Sequence, residues 1–181
     1  ESAWTWEHMA LTRARVLFGS QAACDDVRGI ITDVLTTSRD TDKTRTEIAD
    51  MRKEMATHKP PKGDLDVKLL PGGLVDMEFI IHMLQLTRHE GLVPQLGPAI
   101  DMLVRAGHLP ANFAHAYALL GRLLVMVRLV APDCDVPPAA AQSLIAQGLG
   151  YADWNALTTA IRDYRGVVTV EWERLFGPRD F

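Results

Sequence analysis

The chain has 181 residues, 48% of them hydrophobic, enough to bury one good core as a single domain spanning 1–181. Its net charge of −4 and pI near 5.8 give no basic footprint, which argues against a nucleic-acid partner. Cys24 and Cys134 lie far apart and fit a reducing cytoplasm better than a disulfide scaffold, and Arg122 and Arg128 interrupt the most apolar run, Leu119 to Ala131, so no membrane span is expected.

In chain order, the first helix is expected within residues 1–18, from about Trp4 to Phe18. Trp6, Met9, Ala10, Arg13, Val16 and Leu17 make one apolar stripe, and Trp4, Leu11 and Phe18 make a second. A helix apolar on two sides needs two bodies to pack against. Its second face is therefore expected to meet a preceding domain, and a chain that opens on Glu1 rather than Met reads as a piece of a longer protein. Arg13 and Arg15 are expected on roughly opposite sides, one of them toward that neighbour. The second helix, about Gln21 to Leu35, carries Ala23, Val27, Ile30, Ile31 and Val34 on one face. Asp40 is the expected N-cap of a third helix whose narrow stripe of Ile48, Met51 and Met55 places it outermost. Residues 58–71, with Pro60-Pro61 and Lys62-Gly63, read as a mobile loop, and 72–181 as the main bundle.

A helix follows Gly72-Gly73 and runs to about His89, with Met77, Ile80, Ile81 and Leu84 inward and Glu78, His82, Gln85 and His89 outward. Pro98 opens a short helix closed by Gly107, and Pro110 opens one apolar around most of its circumference, hence central. An Ala-rich helix ends at Gly148, and the last helix begins near Asp153 with a weak spot at Gly166-Val167-Val168. The class is all-α, a bundle of about seven to eight helices.

The chemistry-bearing stretch is Asp66-Val67-Lys68-Leu69-Leu70-Pro71-Gly72-Gly73-Leu74-Val75-Asp76-Met77-Glu78-Phe79. Two glycines permit a sharp turn and close approach, and the amides of the following helix start favour anions. Asp76 shares a side with Ile80 and Met83, so it is part-buried and needs a partner, for which Arg13, Arg15 or Lys68 are candidates. Two readings stand: Lys68, Gly72, Gly73 and Asp76 line the edge of a nucleotide site, or a buried ion pair locks the helix start to the first helix. Glu78, His82 and His89 lack the spacing of a zinc face, and no metal site is expected. The D-x-D triplets at Asp40/Asp42, Asp64/Asp66 and Asp133/Asp135 sit in turns and read as caps.

Two segments together resemble the bacterial bifunctional glutamine synthetase adenylyltransferase/adenylyl-removing family. Ala3-Trp4-Thr5-Trp6-Glu7-His8-Met9-Ala10-Leu11-Thr12-Arg13-Ala14-Arg15 is similar to the helix after its catalytic core. Asp66–Phe79 is similar to its D-x-K-x-G-x-G-G-L-x-D-I-E-F signature, shared in looser form by PII uridylyltransferases. Leu149-Gly150-Tyr151-Ala152-Asp153-Trp154 extends the likeness along nearly the whole chain. The resemblance implies the C-terminal helical domain behind a nucleotidyltransferase domain that moves AMP from ATP, with Mg²⁺, onto a tyrosine of glutamine synthetase. Glutamine and the PII signalling protein would set the balance. It implies no cofactor on this segment, and it makes Arg13, Arg15, Lys68, Gly72, Gly73, Asp76 and Glu78 candidates for an active-site edge or an interdomain contact. A pure binding module docking PII or glutamine synthetase is the alternative. The family's catalytic G-S…D-x-D is missing: after Gly19-Ser20 that spacing reaches Ile31 and Asp33 inside a helix, and Leu70 replaces the signature's first glycine.

Overall fold

Eight α-helices and no strand form among residues 3–179, the part described by the computed structural model; Glu1 and the outermost ends of the expected 1–181 span lie outside the described residues. They are α1 (Thr5–Leu11), α2 (Gln21–Thr36), α3 (Thr41–His58), α4 (Leu74–Arg88), α5 (Leu96–Arg105), α6 (Ala111–Val130), α7 (Ala139–Gly148) and α8 (Trp154–Phe176). The all-α class expected from periodicity is what the chain adopts.

The core is built on α4, α6 and α8. Helix α6 is long and apolar enough to cross a membrane by length and composition, yet it sends Phe113, Leu120, Leu123 and Val127 into the core against α5 and α8. Helix α8 runs unbroken through Gly166 because packing, with Val168 and Trp172 buried, outweighs weak local propensity. Asp153 caps its start by accepting a bond from the Ala156 amide at 2.8 Å. Asp40 caps α3 in the same way through the amides of Asp42 and Lys43.

Four details differ from the sequence reading. First, α1 stops at Leu11 instead of reaching Phe18. The Thr12 hydroxyl donates to the Met9 carbonyl at 2.7 Å, and the Arg13 and Ala14 amides tighten to bonds three residues back. Second, α2 buries only Leu35, and Val27 and Ile30 of its apolar face stay exposed. Third, α3 is not outermost; it lies between α4, α8 and α1 with Thr44, Ile48 and Arg52 buried. Fourth, the supposed outward face of α4 is buried at His82 and Gln85, where Thr12 and the α4–α5 turn bond to it. Within 58–71, Leu65, Asp66 and Val67 are buried, and the Leu65 amide bonds the Cys134 carbonyl at 3.1 Å.

Candidate functional site

The Gly-Gly turn is closed by its own backbone. The amides of Gly73, Leu74 and Val75 donate to the carbonyls of Leu70, Val67 and Lys68, so the free donors of a helix start are already used. Gly72 sits at φ +74, and a Cβ there would overlap the Arg165 carbonyl of α8. A Cβ on Gly73 would lie 2.5 Å from the Val67 carbonyl oxygen. Both glycines serve close backbone packing.

Asp76, fully buried, is the hub of that packing. Its carboxylate accepts from Arg52 Nε of α3 at 2.7 Å, from the Gly72 amide at 2.6 Å, and from Arg179. Arg52 also donates to the Leu69 carbonyl at 2.9 Å, and Arg165 forks onto the Pro71 carbonyl at 2.9 and 2.8 Å. The Arg179 guanidinium lies 4.6 Å over the Trp172 ring, which stacks on Phe176. Burial pulls the Arg165 pKa below its usual value, Asp76 opposes that, and Arg179 adds to it. The expected partners of Asp76 are thus corrected: Arg13, Arg15 and Lys68 are all exposed, and Arg52 of α3 and Arg179 after α8 supply the cations instead. Arg52 was legible in principle. It falls four residues after Ile48 on the apolar stripe of α3, where an arginine must be buried with a partner.

The other candidates gather on an open face. Arg13 faces Glu78 at 3.7 Å, with side chains 53% and 33% exposed. With the helix ended at Leu11, the helical rule that would separate Arg13 from Arg15 no longer applies. Both line one cleft of about 400 Å³ opposite Tyr117 and the Pro94–Gly97 turn. In the same N-terminal stretch Trp4, Trp6, Leu17 and Phe18 are exposed, Phe18 at 91%; Trp4 lines a separate cavity with His8, Arg39 and Lys43. Lys68 stands apart, exposed on the turn.

A buried polar link sits under this face. His82 Nδ1 lies 3.0 Å from Thr12 Oγ1 and 3.1 Å from Gln85 Oε1, and Gln85 Nε2 donates to the Gly91 carbonyl at 2.6 Å. Since the Thr12 proton goes to Met9 and Gln85 Oε1 can only accept, Nδ1 carries the proton of a neutral ring. Burial, with Arg13 adding to it and the Gln85 bond opposing it, lowers the His82 pKa to about 4. Among the described residues, no three His, Cys, Asp or Glu side chains converge to hold a metal.

The model of the GlnD PII-uridylyltransferase family matches residues 42–176. The chain is 38% identical over 159 residues to a bifunctional glutamine synthetase adenylyltransferase/adenylyl-removing enzyme of Mesorhizobium japonicum, covering 81% of this chain and 16% of that protein. Proteins of the same description from Rhizobium meliloti and Brucella suis are 37% and 31% identical over 88% and 97% of the chain. The chain spans only 16–19% of the length of these relatives.

Proposed function

The chain belongs to the helical family shared by the GlnD PII-uridylyltransferases and the bacterial bifunctional glutamine synthetase adenylyltransferase/adenylyl-removing enzymes, and from that we propose that it is the C-terminal helical domain of such an adenylyltransferase. The domain braces the adenylylating nucleotidyltransferase domain in the cytoplasm. The observation that carries this reading is the exposure of four large apolar side chains, Trp4, Trp6, Leu17 and Phe18, within the stretch that precedes α2. Large apolar side chains left exposed in one short stretch suit a protein contact, and their place in the resemblance is the segment that follows a catalytic core.

In the intact enzyme a glutamine synthetase tyrosine would attack the α-phosphate of ATP, with Mg²⁺ neutralising charge. The family's G-S…D-x-D is missing from this sequence, and in this proposal the metal ligands lie in the neighbouring nucleotidyltransferase domain. Arg13, Arg15 and Glu78 are the interdomain candidates of this chain, and Lys68 is a separate exposed candidate on the turn, whereas Gly72, Gly73 and Asp76 hold the start of α4.

The test uses an intact enzyme that contains this segment. Trp6→Ala combined with Phe18→Ala should lower glutamine synthetase adenylylation at least about tenfold, the loss expected for removing two aromatic anchors. The same pair should leave the stability of the 181-residue chain nearly unchanged, because both side chains are exposed. Full activity in the double variant would end the bracing proposal. Saturable, glutamine-dependent binding of PII by the chain alone would instead favour a docking module.

A further inference from the structure

We propose that the cleft between Arg13, Arg15 and the start of α5 binds the phosphate groups of a small anionic ligand. The two guanidiniums form one wall. Arg15 has no hydrogen bond or ion pair with any described residue. Arg13 has only the loose, half-exposed contact with Glu78 at 3.7 Å, which an incoming phosphate can replace at little cost. Two forked cations a residue apart suit the oxygens of a phosphate, to which guanidinium binds in pairs of hydrogen bonds.

The opposite wall is the Pro94–Gly97 turn. Gln95 stands at the N-cap of α5 without a side-chain cap bond, so the Leu96 and Gly97 amides, followed by Pro98 with no N–H, are left for another acceptor. Gly97 adds no side chain to the wall, and the partly buried Tyr117 brings a phenol as a further donor. The volume, about 400 Å³, lies in the roughly 300–1,000 Å³ range of small-ligand sites.

Both walls are fixed from below. Thr12, adjoining Arg13, and Gly91, at the start of the turn, are tied through the buried His82–Gln85 link. The cleft is therefore held at a set width before any ligand arrives, which lowers the ordering cost of binding. Glu78 is the carboxylate nearest Arg13, and its single charge does not balance two arginines. A phosphoanhydride chain and free phosphate share this chemistry.

The experiment titrates the full 181-residue chain separately with inorganic phosphate, tripolyphosphate and ATP, followed by calorimetry and by NMR of the arginine side chains. Saturable binding is expected, tighter for tripolyphosphate than for phosphate and weaker at higher salt. ATP binding no tighter than tripolyphosphate assigns the cleft to the phosphate chain alone, and tighter ATP binding extends it to the nucleoside; both support the site. Arg13→Ala with Arg15→Ala should weaken binding at least about tenfold. Gln95→Asp should do the same while keeping or raising stability, since aspartate caps the helix and repels the anion. That pairing separates ligand binding from folding. Absence of saturable binding, or equal binding by the Arg13/Arg15 double variant, overturns the site. Neither result depends on the neighbouring domain, so docking and phosphate binding can fail separately.

Discussion

Replacing Asp76 with alanine tests the central packing most directly. The carboxylate is wholly buried, and its loss removes acceptors from Arg52, the Gly72 amide and Arg179 at once. A hydrogen bond to a charged group contributes about 1.5–3 kcal/mol, so three such bonds would exceed any plausible total if simply added. The carboxylate also recovers its hydration when it is removed from the fold, which offsets part of the sum. Breaking one side of a buried pair costs about 3–5 kcal/mol in proteins, and Asp76→Ala should fall in that range. Against a usual stability of about 5–15 kcal/mol, that is a large share. Urea unfolding of both chains, followed by far-UV circular dichroism, measures it. A cost below about 1 kcal/mol with an unchanged urea slope would refute the lock, because that is the net worth of one ordinary hydrogen bond. A second arm adds a discriminating result. Asp76→Leu with Arg52→Met should recover part of the loss, since an apolar pair carries no desolvation cost while Arg179 and the Gly72 amide still lose this acceptor.

Glycine substitutions should separate required from incidental glycines. Gly72→Ala meets both a left-handed backbone and the Arg165 carbonyl and should cost about 2 kcal/mol or more, whereas Gly166→Ala, in open space inside α8, should stabilise by about 0.5–1 kcal/mol; equal effects in urea unfolding would contradict the packing described. His82 supplies a pH signature. Its pKa is near 4 when folded and about 6.5 when unfolded, so the unfolded chain takes up a proton that the folded chain refuses as pH falls through that window. Stability should drop by up to about 3 kcal/mol between pH 6.5 and 4 from this group, with no contribution above that window. His82→Asn, which keeps a donor near the Nδ1 position, should flatten the slope, and an unchanged slope would assign the loss to other groups.

Helix positions were readable because apolar spacing, proline starts and the caps Asp40 and Asp153 are local signals. Which face met which neighbour was not. The α4 pattern Glu78, His82, Gln85 looked solvated, but polarity alone cannot tell an outward side chain from one bonded to another segment. The reach of α1 failed for a similar reason: Thr12 continues a helical stripe in sequence, while its hydroxyl turns back to Met9 and toward His82. The partner of Asp76 was expected among Arg13, Arg15 and Lys68 of the two motif segments. The cations came from 24 residues upstream and 103 residues downstream, separations that a single chain's pattern does not encode. The expectation of a bare side rested on two apolar faces of a helix reaching Phe18; the helix ends at Leu11, and Trp4 and Trp6, one from each face, are both exposed.

The buried lock and the open face share two helices, and that overlap bears on how the domain could act. Helix α1 is fastened to α3 through Thr5 and Glu47 and to α4 through Thr12 and His82. Asp76 joins the same α3 and α4 through Arg52, and Glu78 of the open face lies only two residues along α4. A regulatory signal crossing this region would need an element with two packed arrangements of similar energy. At the α4 start the opposite holds: the amides of Gly73, Leu74 and Val75 bond the turn carbonyls, the Gly72 amide bonds the Asp76 carboxylate, and Gly72 leaves no room to shift past α8. Such a joint transmits position, so the proposed contact with a catalytic domain is better matched to a fixed brace than to a moving switch.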